Sequence, residues 1–191
     1  MRIILAANEE VDKLHSIFKK FNTQLLEEPE TLYPYGGIID VYDRVLTEQE
    51  ASTLLQFPQH NKTNGPRFIS AFMQLFHNSD VYVLLNKKEF SKSEIKQKLS
   101  SLNKTEASHF RKWFSTNKGI YKIEDEEALK FFANLSIHEV FFTNFFFPSL
   151  ETVIIGNYDL SLPIYCKTSG NFEICKEIIE ENGLFIRGMH C

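Results

Sequence analysis

At 191 residues, with 43% apolar and 24% charged side chains, the chain has the composition of an ordinary globular protein, and its net charge of −4 gives it no general affinity for nucleic acid. No segment approaches the roughly 20 consecutive apolar residues that cross a bilayer. Three cysteines, Cys166, Cys175 and Cys191, are odd in number and late in the chain, which argues against a disulfide framework and for a reducing, cytoplasmic setting.

In chain order, Arg2 to Ala7 is basic then apolar and ends at Asn8-Glu9-Glu10, short of a secretory core of roughly 7 to 15 apolar residues. It reads as a buried first strand. A helix follows from Glu9, with Val11, Leu14, Phe18 and Phe21 on one face. Leu26 to Pro34 is acidic and proline-broken, so a loop is expected, and Gly36-Gly37-Ile38-Ile39-Asp40-Val41-Tyr42 suggests a strand leaving a glycine turn. Thr47 and Glu50 form a capping box for a helix that runs until Pro58. His60 to Asn64 reads as a polar loop, and Gly65-Pro66 as the start of a helix carrying Phe68, Phe72 and Leu75.

Val81 to Leu85 has strand length. Ser91 with Glu94, and Asn103 with Glu106, predict two successive helices with Phe110, Trp113 and Phe114 on the second. Ile120 to Ile123 is a short strand and Asp125 to Leu135 a helix. Phe172 to Asn182 is a helix stopped by Gly183, followed by a final strand Leu184 to Ile186.

Between these last helices lies the stretch that organises the chain, Ile137 to Cys166. It is rich in aromatic and β-branched residues and is cut by Pro148-Ser149 and Asn157-Tyr158-Asp159, a pattern that predicts three consecutive strands. Phe141, Phe145 and Phe147 would point one way, and Val140, Phe142 and Phe146 the other. A sheet apolar on both faces must be covered on both. The expected fold is α+β over residues 1–191: a central antiparallel or mixed sheet with a C-terminal three-strand meander, a helix and a final strand, and helices on both faces.

Charge is uneven. The chain's 21 basic and 25 acidic residues divide into ten and three within residues 87–122, and into 11 and 22 elsewhere. Such asymmetry marks a partner-facing surface. Lys96, Lys98, His109, Arg111 and Lys112 are the candidate contacts of a basic helical pair. Together with Phe110 and Trp113 they could follow a phosphate backbone and stack bases, or dock an acidic protein, or the lysines simply solvate the outer face of an amphipathic hairpin whose aromatics turn inward. Lysine outnumbers arginine here, which disfavours specific phosphate recognition. Nucleic acid is therefore not the expected main ligand.

Asp40 and Asp43, at the end of a predicted strand, are the only candidate catalytic pair, for a small nuclease or phosphate-handling enzyme. His138 and Glu139 would sit on opposite faces of a strand. The cysteine spacing fits neither a zinc site nor a redox pair, so no metal and no cofactor are expected. Glu27, Glu28 and Glu30 in one loop, and Asn157, Tyr158 and Asp159 in one turn, are candidate binding residues. The reading that gathers these features is a non-enzymatic cytoplasmic module that binds another protein, an inhibitor or immunity-type protein neutralising a basic toxin or effector. The alternatives are the Asp40/Asp43 enzyme and a nucleic-acid binder using residues 87–122.

Overall fold

The computed structural model describes residues 1–18, 33–85, 91–100, 102–116 and 120–190, without the side chains of Leu85, Lys92 and residues 112–116. In chain order these form β1 (Ile3–Leu5), α1 (Asn8–Ile17), β2 (Tyr35–Asp40), α2 (Glu48–Leu54), α3 (Gln59–Asn78), β3 (Val81–Leu85), α4 (Lys92–Ser100), α5 (Lys104–Thr116) and β4 (Tyr121–Ile123). Then come α6 (Glu126–Ile137), β5 (Thr143–Phe147), β6 (Thr152–Ile155), β7 (Leu162–Cys166), α7 (Ser169–Glu181) and β8 (Phe185–His190). All eight strands join one sheet in the order β1-β4-β3-β5-β6-β7-β2-β8, and every pairing is antiparallel. The fold is α+β.

The predicted meander is present as β5-β6-β7, with Phe145 opposite Ile154 and Ile154 opposite Ile164. Period-2 alternation sends Phe145 and Phe147 to the face covered by α3, α6 and α7, where Phe72 meets Phe145 at 4.6 Å between ring centroids. Phe146 goes to the other face, under α1, where Phe18 packs its ring at 5.4 Å beside Leu14, Tyr82 and Val153. Helices thus cover both faces, as the doubly apolar strand requires.

Five local expectations are corrected. The first strand is not buried: among the described residues β1 is an edge strand, covered by a neighbour on one side only, with Ile4 and Leu5 exposed. The meander's first strand starts at Thr143, because α6 continues to Ile137 and residues 138–142 turn the chain. Gly36 and Gly37 lie inside β2, not in a turn. A Cβ on Gly36 would stand 2.5 Å from the His190 ring and one on Gly37 2.5 Å from Ile186 Cγ2, so the glycines let neighbouring side chains cross the strand. Residues 60–64 are the first turns of α3, not a loop, because His60 and Asn61 find buried partners. Gly65 lies within that helix, where a Cβ would come 2.8 Å from Ile137 Cγ2 of α6. Finally, β8 extends to His190 and pairs with β2, with a register shift where Gly188 takes φ +61°. That is the glycine bulge that bends an edge strand.

Candidate functional site

One end of the sheet gathers the chain's polar and strained residues. Here β2 ends, β7 begins, α3 starts and α6 stops. Asp40, the last residue of β2, is buried, and both of its carboxylate oxygens are engaged. Oδ2 accepts from Arg187 Nε at 2.7 Å and from the Ser161 hydroxyl at 2.9 Å, and Oδ1 accepts from the Tyr42 N–H at 3.1 Å. Strand register places Asp40 opposite Phe185, two residues before Arg187, so the pair ties β2, β8 and the approach to β7 together. A buried charge needs this pairing to remain ionised without a large penalty. Asp43 lies exposed in the following bend and shares none of these bonds.

The stop of α6 fixes the rest. His138 is the C-cap, and the chain reverses through a Schellman motif: the Val140 N–H donates to the Leu135 carbonyl at 2.8 Å and the Glu139 N–H to the Ser136 carbonyl at 3.0 Å. The same motif ends α7, where the Leu184 and Gly183 N–H groups donate to the Ile179 and Glu180 carbonyls. There the left-handed position is the expected glycine, Gly183 at φ +69°. In α6 it is Glu139, at φ +55°. A non-glycine residue in this region costs on the order of 1–3 kcal/mol, and the side chain explains its retention. The Glu139 carboxylate accepts the backbone N–H of Asp159 at 3.0 Å and the Asn61 amide at 3.4 Å, while its carbonyl accepts from Lys98 Nζ at 3.3 Å. Asn61 also donates to the Ile137 carbonyl at 2.6 Å.

Asp159 belongs to a tight 3-10 turn, Tyr158–Leu160, in which Asp159 and Leu160 both take left-handed conformations at φ +55° and +54°. Asn157 closes the turn by donating its amide to the Ser161 carbonyl at 3.2 Å. Buried Leu160 is the inward anchor, whereas Tyr158 projects outward with 62% of its surface exposed. The Tyr158 ring leans edge-on against Phe142 at 4.6 Å, so the projecting side chain is supported. Three of the four left-handed non-glycine residues among the described residues, Glu139, Asp159 and Leu160, therefore lie in this one contact network.

Beneath the turn sits His60, only 6% exposed, with its ring stacked on Tyr42 at 5.9 Å and 15°. Asn64 donates to its Nδ1 at 3.3 Å, and Nε2 is buried without a hydrogen-bond partner. Burial pushes the imidazole below its ordinary range, against the opposing pull of the Asp40 and Asp159 charges and the Leu54 carbonyl. Leu54 and Phe57, on the segment that leads into α3, are exposed, as is Val45 after Asp43.

The sequence-predicted residues separate. Asn157, Tyr158 and Asp159 form the turn just described, and Lys98 reaches it through Glu139. Lys98 Nζ also stands 5.6 Å over the Phe141 ring. Lys96 and Arg111 are exposed on α4 and α5, and His109 is half-buried on α5. Phe110 is fully buried and stacks on Phe141 at 4.2 Å, turned inward as an amphipathic hairpin requires, so it is not available to a base. Glu27, Glu28, Glu30 and the side chains of Lys112 and Trp113 lie outside the described residues. A cavity of about 400 Å³ opens between α4 and the end of α6, lined by Phe57, Glu94, Lys98, His138 and Glu139 among others. Two predicted caps there hold as expected: Ser91 with Glu94, and Asn103 with Glu106.

Cys166 and Cys175 are buried thiols that both meet the Thr152 hydroxyl, at 3.0 and 3.6 Å. Among the described residues no group of three or more His, Cys, Asp or Glu side chains could hold a metal ion, and no helix is long and apolar enough to cross a membrane. Sequence reading missed Glu139, His60 and Asn61. Nothing in the sequence marks a Schellman motif whose left-handed position is glutamate, because glycine is its signal. Comparison of the chain with protein-family models, with curated proteins and with solved structures finds no match.

Proposed function

We propose that this protein is a non-enzymatic, cytoplasmic binding module that works by contacting another protein, as an inhibitor or immunity-type protein neutralising a toxin or effector, and that the contact is centred on Tyr158. The observation that carries this reading is the presentation of Tyr158: a large amphipathic ring, 62% exposed, on a turn with two successive left-handed residues braced by Glu139. Strain of this kind persists only where the surroundings impose it, and it collects at binding and catalytic sites. A rigid exposed tyrosine is also the side chain that interfaces use as an anchor, since it offers large area at little entropic cost. The exposed apolar side chains of Val45, Leu54 and Phe57 on adjoining segments supply further contact area.

The enzyme reading draws less support, because the Asp40 carboxylate is fully committed to Arg187, Ser161 and the backbone. The nucleic-acid reading loses its nearest stacking ring in Phe110. The test is hydrogen exchange on the protein alone and after mixing with a protein captured from its source cells. Protection over residues 157–161 is expected. Protection confined to residues 92–116 would transfer the function to the basic helices. A turnover abolished by Asp43→Asn, with no protection anywhere, would replace the binding reading by the enzyme.

A further inference from the structure

The cysteine spacing in the sequence forms no redox motif, yet the fold brings two of the thiols together. β7 ends at Cys166, α7 begins at Ser169, and Cys175 on that helix joins the same core cluster as Cys166. Both residues are 0% exposed. Their meeting point is the hydroxyl of Thr152, which is the cross-strand partner of Cys166 in β6. Thr152 Oγ1 lies 3.0 Å from Cys166 Sγ and 3.6 Å from Cys175 Sγ. Its single hydrogen goes to the Leu150 carbonyl at 2.7 Å, so the oxygen is left to accept from the thiols.

The two thiols also act on each other. Cys175 is the strongest influence on Cys166, and together with burial it pushes the Cys166 thiol up. Cys166 in turn donates to Cys175 and holds it below the ordinary thiol range, against burial. Cys175 therefore ionises first, and its sulfur is the nucleophile of the pair. An isolated buried thiol is an inert small hydrophobe. This pair differs in having a second sulfur in direct interaction with the first, beside a hydroxyl that can turn from Leu150 to support a thiolate.

We propose that Cys166 and Cys175 form a disulfide on exposure to hydrogen peroxide, and so make a redox-sensitive clamp between β7 and α7. The Cys175 thiolate attacks one peroxide oxygen. The O–O bond breaks, and the departing hydroxide takes up the proton that Cys175 released, leaving Cys175 as a sulfenic acid and one water. The Cys166 sulfur then attacks Cys175 Sγ. The S–S bond forms, the S–O bond breaks, and the second hydroxide leaves as water with the Cys166 proton. Two thiols are oxidised and one peroxide is reduced to two waters. Burial selects the oxidant: hydrogen peroxide is close to water in size and enters through small openings of the core, whereas a bulky disulfide such as oxidised glutathione does not reach either sulfur.

The experiment treats the folded full chain with hydrogen peroxide, alkylates the remaining thiols and maps disulfides by mass spectrometry after digestion. A peptide pair joined through Cys166 and Cys175 is expected, with amide exchange over α7 slowed several-fold. Oxidised glutathione should leave both thiols unmodified. In Cys166→Ala, which lacks the second sulfur, a sulfenic-acid trap should label Cys175. Survival of both thiols in the folded wild type, with ready oxidation once urea unfolds it, would overturn the proposal. So would a link that runs only to Cys191, or oxidation of the two thiols without a bond between them. The wild-type map carries no substitution, so these outcomes stand even where Cys166→Ala folds poorly.

Discussion

The carboxylate of Glu139 accepts the backbone N–H of Asp159 at 3.0 Å, across 20 residues of sequence, and so couples the end of α6 to the turn that projects Tyr158. Glu139 stands where glycine would be easier, as Gly183 shows at the end of α7. Glu139→Gly should relieve the left-handed strain, worth about 1 kcal/mol, while removing the brace. Denaturant midpoints near wild type, combined with faster amide exchange over residues 157–161, are the expected outcome. A large loss of stability would show that the bond serves the fold rather than the turn.

Phe142 and Phe146 lie four positions apart and have different duties. Phe146 is buried under α1 against Phe18, and Phe146→Ala should cost about 3–5 kcal/mol. Phe142 lies before β5, half-buried, with Tyr158 against its ring. Phe142→Ala should cost clearly less in urea unfolding, yet weaken partner binding because Tyr158 loses its support. Equal stability losses in the two variants would contradict this division.

Asp40 and Arg187 form a pair with side chains 8% and 20% exposed. Removing one partner leaves a poorly solvated charge, so Arg187→Met should destabilise by roughly 3 kcal/mol. Adding Asp40→Asn should recover part of the loss, which a double-mutant cycle measures. Strict additivity would mean that the two do not act together. Asp40→Asn alone should then impair function through folding, not through lost chemistry.

His60 gives a pH dependence with a defined sign. Burial lowers its folded-state pKa beneath the ordinary value of 6.5, so below that value the unfolded chain binds the proton more readily. The contribution of His60 is present above pH 6.5 and is lost as pH falls through the folded pKa. The wild type should therefore lose stability on acidification from neutral pH more steeply than His60→Gln, in parallel urea titrations. Parallel slopes would show that the imidazole is not buried in solution.

Much of the fold was legible because it rests on periodicity and caps. The alternation of Phe145, Phe146 and Phe147 located a two-faced central strand, Thr47 with Glu50 placed the start of α2, and Gly183 marked the end of α7. The start of α3 was not legible, because the polar residues His60 and Asn61 are buried by partners distant in sequence, Tyr42 and the Ile137 carbonyl. The site was legible only as its turn: Asn157-Tyr158-Asp159 carries turn chemistry, whereas its brace, Glu139, occupies a glycine position. Asp40 read as a catalytic candidate, since nothing local announces Arg187, 147 residues away.

The central claim, that function lies in a protein contact centred on Tyr158, is tested most directly by titration calorimetry of the captured partner against wild type, Tyr158→Ala and Lys96→Glu/Arg111→Glu. An interface anchor contributes about 2 kcal/mol or more, so Tyr158→Ala should weaken binding about 30-fold. Its thermal midpoint should stay near wild type, because the ring is 62% exposed. The basic-face variant should keep its affinity. Unchanged affinity in Tyr158→Ala, with binding lost in Lys96→Glu/Arg111→Glu, would contradict the account.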